Sequence, residues 1–319
     1  MSRRFLLITM CLMFVLTCTL AEEKGSPLTP AVAAQQAEVT PEPETEEALN
    51  PETDFVELLL NVAREELGYT EKKNGYTKYG EWSGDPYAQW CAEFLCWSVN
   101  QVDERYGTDL LKVQYPLYSG SNVGRNWFIA RGRYIDRRGI IDDWGPQWFV
   151  GNQAQMLKNE YIPQPGDWMF FTWRSGRDTD HVAMVEYTDV NEEGQVVLHT
   201  IEGNNPSKVA RKEYLLTDST ILGYGTVTQV AGVTMRPGNK GDLVKQLQQN
   251  LIQLGLLDAK TTDGVYGGKT TTAIRTFQRE YMLEKKVSGI ADMETQFAIL
   301  AEIENRLDAD PASWLVASE

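Results

Sequence analysis

Trp90-Cys91-Ala92-Glu93-Phe94-Leu95-Cys96-Trp97 is the stretch whose reading decides the fold. Gly84, Asp85 and Pro86 just ahead of it are turn signals, so a helix is expected to start here with a cysteine in its first turn. Phe94, Leu95, Ser98 and Val102 follow Cys91 at helical spacing and give that helix a largely apolar stripe to bury. The backbone N–H groups at such an end have no partner within the helix and favour a negatively charged sulfur. A thiol so placed is a nucleophile if the chain supplies a base. Otherwise it is a small core residue, the role expected for Cys96.

The search for a base is short, because the chain has only two histidines. His181 opens an apolar run after the polar residues Arg177-Asp178-Thr179-Asp180, which puts it at a strand end. His199 lies inside a strand between Leu198 and Thr200. A base also needs a group that orients it. Side chains alternate along a strand, so Val196, Leu198, Thr200, Glu202 and, if extension continues, Asn204 share one face, and Val197, His199 and Ile201 the other. Glu202 and Asn204 stand at a strand end, like His181, just before the break Asn205-Pro206. Parity and position favour Glu202 over His199 as the third member of a Cys91–His181–Glu202 set.

Around this set the chain divides into segments. Residues 1–21 read as a secretory leader, with Arg3 and Arg4, an apolar run, and the small-x-small site Thr19-Leu20-Ala21. That run is shorter than the roughly 20 residues of a bilayer span, and Glu22 and Glu23 follow it at once. An uncleaved anchor is the alternative, and Cys18 is a poor site for lipid because Val-Leu-Thr precedes it. Residues 22–52, rich in Pro, Thr and Glu, read as an extended spacer. Of four cysteines, Cys11 and Cys18 leave with the leader. Cys91 and Cys96 would sit about 140° apart around one helix, which speaks against a mutual disulfide.

Residues 53–230 read as an α+β domain. A helix with Phe55, Leu58, Leu59 and Val62 on one face runs toward Gly68. Residues 103–165 look irregular, with a short helix over 152–159. Strands are expected over 168–173, 181–187, 195–202 and 221–227. Helices followed by successive strands point to an antiparallel sheet. Residues 231–305 turn helical again, with Leu243, Leu247, Leu251, Leu254 and Leu256 in one helix and 271–281 in another; 306–319 read as a tail. An internal echo lies here: Asp263-Gly264-Val265-Tyr266-Gly267-Gly268-Lys269-Thr270 matches Ser288-Gly289-Ile290-Ala291-Asp292-Met293-Glu294-Thr295. The net charge of −15 argues against a nucleic acid or an anionic membrane as a partner held by charge.

Residues 54–230 resemble the CHAP family of cysteine- and histidine-dependent amidohydrolases and peptidases, which have a papain-like fold. The carrying stretches are Thr77-Lys78-Tyr79-Gly80, Trp90-Cys91-Ala92-Glu93-Phe94, Pro165-Gly166-Asp167-Trp168, His181-Val182-Ala183-Met184-Val185 and Ile201-Glu202-Gly203-Asn204. The resemblance implies Cys91 as nucleophile, His181 as base, and Glu202 and Asn204 as polar members. The Cys91 N–H is the expected oxyanion donor, with Gln89 or Tyr87 as a second, and Trp90 is expected to touch substrate. The segment 135–161 looks longer than in relatives. Residues 236–300 resemble the small three-helix peptidoglycan-binding domain, carried by Gly241-Asp242-Leu243-Val244-Lys245-Gln246-Leu247-Gln248, Leu254-Gly255, Asp263-Gly264-Val265-Tyr266-Gly267, Thr270, Ala273 and Phe277-Gln278. Asp263, Tyr266 and Thr270 are its expected substrate contacts.

Together the two resemblances imply a secreted or wall-associated bacterial hydrolase, an N-acetylmuramoyl-L-alanine amidase or an endopeptidase. Peptidoglycan is its expected partner, no stable membrane insertion is expected after leader cleavage, and no cofactor or metal is called for. Two alternatives stand: an NlpC-type endopeptidase that uses His199 as third member, and an inert wall-binding protein.

Overall fold

The helix expected at Cys91 is α3 (Cys91–Tyr106), closed by Gly107 in the left-handed region at φ 70°. No side chain caps its start, an omission that costs about 1 kcal/mol. Burying each of Phe94, Leu95, Val99 and Val102, all essentially inaccessible, returns about 1.5–3 kcal/mol. Tertiary packing therefore holds α3, and its first turn is free to serve chemistry. The structure, a computed structural model, describes residues 49–309 apart from 121, 152, 153 and 175. The expected leader, and the spacer up to residue 48, lie outside the described residues. Among the described residues no helix is long and apolar enough to cross a membrane.

Before α3 come α1 (Phe55–Glu65) and α2 (Lys78–Ser83), the latter capped by Thr77, whose Oγ1 accepts from the Gly80 N–H at 3.0 Å. After it come α4 (Val123–Ala130) and the short strands β1 (Tyr134–Asp136), β2 (Ile140–Ile141) and β3 (Gly145–Phe149). The main strands are β4 (Trp168–Phe171), β5 (His181–Val190), β6 (Val196–Glu202), β7 (Ala210–Leu215) and β8 (Ile221–Gly225), followed by β9 (Ala231–Val233). They form a six-stranded antiparallel sheet in the order β1-β8-β4-β5-β6-β7, with β2-β3-β9 as a small second sheet.

Both faces of the central strands are covered. Val182, Met184 and Ile201 pack into the cluster that holds α3, while Ala183, Val185 and Leu198 face a second cluster with Met169 and Phe171. That is why β4 reads as an unbroken apolar run. A register shift between Val185 and Tyr187 sets off Glu186, which is buried and ion-paired with Arg64 of α1 and Arg211 of β7. The Arg211 hydrogen bond and the Arg64 one hold its carboxyl below the usual range against the opposing pull of burial.

Two sequence expectations are corrected. Residues 103–165 are not irregular, since they hold α4 and β1 to β3. The helix expected over 152–159 is absent among the described residues of that stretch: Gln155 bridges Trp148, Met156 N–H bonds Gln147 and Asn159 N–H bonds Arg137. With its backbone groups committed to β3 and the β1–β2 turn, the segment cannot close helical turns.

Beyond β9 lie α5 (Asp242–Gln253), α6 (Gly268–Tyr281) and α7 (Met293–Ala309), the last running past residue 305. The sequence echo is a repeated clamp. Gln248, fully buried, donates to Asp263 Oδ1 (2.8 Å), Val265 O and Thr270 Oγ1, and accepts from Gly264 N–H. Gln278 does the same with Ser288 Oγ, Ile290 O, Thr295 Oγ1 and the N–H of Gly289. Each glycine turn thus closes over a buried amide that it fully satisfies. The helices dock on the first part of the chain through Gln296 to Val233 O (3.0 Å), Arg236 to Trp144 O (2.8 Å) and Gly241, packed against Ala130.

Candidate active site

His181 begins β5 and Glu202 ends β6, and antiparallel neighbours bring those two ends together. The register Met184↔Ile201 places Ala183 opposite Glu202, so His181 is its diagonal neighbour on the same face. His181 Nε2 lies 2.7 Å from Glu202 Oε2, with both side chains buried. Nδ1 is then the ring nitrogen not engaged by Glu202. Cys91 and His181 line one cleft of about 280 Å³ with Gln89, Tyr118, Thr179 and Arg174.

Charge in the site follows from this contact set. Burial alone would lower the His181 value, but the Cys91 and Glu202 hydrogen bonds and charges outweigh it and raise it to about 9. Burial pulls Glu202 upward, and the His181 ring, with Asn205 and Thr200, holds it below the ordinary carboxylate range. Thr200 Oγ1 donates to Oε1 at 2.7 Å and Asn205 Nδ2 to Oε2 at 2.7 Å, so each carboxylate oxygen has a fixed donor. Burial pushes Glu93, two residues after the thiol, up to about 7.

Gly203 permits the approach of helix to strand. A Cβ there would fall 2.8 Å from both Phe94 Cβ and the Trp90 ring, and neither buried side chain has room to retreat. Gly203→Ala is expected to lower stability by about 1–3 kcal/mol and to reduce activity, as α3 and its thiol are pushed off the sheet. Urea unfolding would show it as a lower midpoint at unchanged slope; an unchanged midpoint would refute so tight a contact.

Aromatic rings wall the base. Trp173 stacks on His181 at 5.2 Å between centroids and is 53% exposed, so one face shields the imidazole and the other is open to a ligand. Asp180 holds this corner, accepting from the Trp173 N–H (2.7 Å) and from Arg174 Nε (2.6 Å).

The other expected residues divide. Gln89 lines the cleft, and Asn204 donates to its Oε1 at 3.1 Å. Asn204 therefore orients Gln89 rather than His181 or Glu202; Asn205, not foreseen, is the asparagine on Glu202. Tyr87 is 62% exposed beside Tyr76 and does not line the cleft. Trp90 is 1% exposed, stacked on Tyr79 and bonded through Nε1 to Glu71, so it is packing and not a substrate contact. Tyr266 and Thr270 are likewise buried, Tyr266 donating to Gly289 O and Thr270 accepting from Gln248, while Asp263 accepts from Gln248 and the Val265 N–H. Tyr266 and Thr270 are thereby corrected from substrate contacts to buried parts of the clamp, while Asp263 stays exposed. His199 stacks on Tyr187 between Asp189 and Glu213, away from His181. Thr200 could have been found by the same parity that found Glu202; Asn205 lies past the strand, where parity ends.

The CHAP domain profile matches residues 82–204, which include Cys91, His181, Glu202 and Asn204, and the profile of a putative peptidoglycan binding domain matches 240–299. No curated protein matches. Among solved structures, the crystal structure of Ly7917 is 18% identical at a TM-score of 0.27, over 53% of this chain and 60% of that one. A periplasmic domain of the EpsAB fusion protein of the Vibrio vulnificus type II secretion system is 19% identical at a TM-score of 0.19, over 43% of this chain and 56% of that one. The chain thus spans less than two thirds of either. With profile matches that fall in chain order on the thiol-bearing helix, its sheet and the clamped helices, the protein carries a CHAP domain followed by a C-terminal peptidoglycan-binding domain.

Proposed function

We propose that this protein is a peptidoglycan hydrolase that cuts an amide bond in wall peptide, with Cys91 as nucleophile. The observation that carries the reading is that Cys91, from a helix start, and His181, from a strand end, line one cleft, with Glu202 bonded to His181 behind it. His181 takes the thiol proton and Glu202 steadies the resulting imidazolium. Sulfur attacks the carbonyl carbon, and the carbonyl oxygen becomes an oxyanion. The Cys91 N–H and the Gln89 Nε2 are its donors, because Asn204 occupies the other end of the Gln89 amide. The imidazolium gives its proton to the leaving nitrogen as the C–N bond breaks. Water, losing a proton to His181, then cleaves the thioester and returns the thiol and a carboxylate product.

The position of His199 speaks against an NlpC-type arrangement, and a thiol that shares a cleft with a carboxylate-paired His181 speaks against an inert scaffold. Residues 240–299 hold the enzyme on the wall, and residues 1–21 serve as its export signal. Digestion of purified peptidoglycan followed by mass spectrometry is expected to yield new amine and carboxylate ends, with the glycan either freed from its peptide or left bearing a shortened one. Those two results separate an amidase from an endopeptidase. Intact peptides, or new sugar reducing ends, would overturn the reading.

A further inference from the structure

A second cavity of about 400 Å³, a size suited to a small ligand, opens where the CHAP domain meets the first residues of the peptidoglycan-binding part. Its charged lining is Arg125, Asp136, Asp142, Asp143, Arg177 and Lys240. Two of the acids are already matched. Asp136 pairs with Arg138 and Arg177, and Asp142 pairs with Arg138 (2.9 Å) and Arg177 (2.6 Å). Burial would raise Asp142, but Arg138, Arg177 and Arg125 hold it low and charged.

Arg125 and Lys240 have no such partner among the described residues. Arg125 donates to the Arg177 carbonyl and lies over the Tyr134 ring, yet its Nε is buried and unpaired. Lys240 is exposed with its backbone fixed against Val265. In a chain of net charge −15, two cations that form no ion pair among the described residues and line one cavity mark a place for an anion from outside. Asp142 and Asp143 on the same wall penalise a dianion more than a single charge, and Trp144, Ile129 and Ile141 add an apolar side to the cavity.

The cavity adjoins the cleft. Arg177 lies four residues before His181, and Arg125 about one helical turn beyond Asn122. Asn122 accepts from the Thr179 N–H at 3.0 Å and donates to Asp178, so cleft and cavity flank a single clamp.

We propose that this cavity binds the free carboxylate end of a wall peptide, with Arg125 and Lys240 as its charge partners, while another part of that peptide lies at Cys91. The choice of peptide rests on the hydrolase reading above; the carboxylate preference rests on the cavity. Recognition would then draw on both domains, since Lys240 comes from the peptidoglycan-binding part and Arg125 from α4.

The test uses the full chain carrying Cys91→Ala and calorimetric titration with a synthetic stem tetrapeptide (alanine, glutamate, lysine, alanine), as its C-terminal acid and as its C-terminal amide. The acid is expected to bind about tenfold more tightly, as loss of a charge-assisted contact implies. Lys240→Gln, a surface change, should weaken the acid about fivefold and leave the amide unchanged, and Arg125→Gln should erase the difference. Equal binding of acid and amide would overturn the proposal. So would displacement of the peptide by inorganic phosphate at matching concentration, which would assign the cavity to phosphate-bearing polymer. Tight acid binding by a protein whose Cys91 form cuts no amide would sink the hydrolase reading and leave the cavity assignment standing.

Discussion

Cys91→Ala is expected to end lysis of peptidoglycan, with a rate loss of about 10⁴-fold or more, while the protein still sediments with insoluble wall. The size follows from covalent catalysis: without sulfur the acyl transfer has no first step, and the remaining donors can only bind. Retention on the wall is expected from the proposed role of residues 240–299, which share no residue with the cleft. Iodoacetamide provides an internal control. Cys91 is partly open, whereas Cys96 is fully buried, its Sγ 3.2 Å from Pro116 O and its thiol pushed up to about 12 by burial. Among the described residues, one label per chain, absent from Cys91→Ala, is the expected count. Undiminished clearing of a wall suspension by the variant would remove Cys91 from the mechanism.

Glu202→Gln is the second large effect, a loss of about 10²–10⁴ in kcat/KM. Glutamine keeps the shape, but it cannot balance an imidazolium, and it can present a donor where His181 needs an acceptor. The pH dependence should change with it. In the native protein His181 is raised to about 9, so the protonated ring that must feed the leaving amine persists until the pH passes that value. The alkaline limb of kcat/KM is expected there, and Glu202→Gln should move it down toward the ordinary imidazole range. The same groups predict stability. A histidine raised on folding contributes fully below its unfolded value near 6.5, and that contribution fades as pH rises through about 9. Glu202, depressed on folding, contributes above its unfolded value near 4.5 and loses that contribution as pH falls through its folded value. The unfolding free energy from urea titration should therefore fall between pH 7 and 9.5, by about 3 kcal/mol at most, and Glu202→Gln should flatten that slope. A variant with the native limb and the native slope would show that Glu202 does not set the charge on His181.

The positions of Cys91, His181 and Glu202 at a helix start and two strand ends are legible because each obeys a short-range rule. Cys91 follows a turn and opens an amphipathic run, His181 opens a strand, and Glu202 keeps strand parity. The segment from 123 to 149 was not legible, because α4 has eight residues and β1 to β3 two to five each. Elements so short carry less than one full period of pattern, and their partners lie far along the chain, β8 for β1 and β9 for β3. β7 was missed for another reason: Ala-Arg-Lys-Glu-Tyr-Leu is an edge strand with alternating partial exposure, and it shows little apolar signal. Trp90, Tyr266 and Thr270 belong to packing because each is buried, which a motif match alone does not reveal.

The base and its carboxylate belong to one strand pair, 181–202, while the sulfur comes from a helix that precedes them by ninety positions. A chain being synthesised therefore exposes its thiol long before the imidazole exists to activate it. Hydrolytic competence arrives only when the late strand pair settles against the early helix, with Gly203 as the point of closest fit. On the proposed mechanism, a chain built this way has no activated thiol until its late strand pair and its early helix have come together.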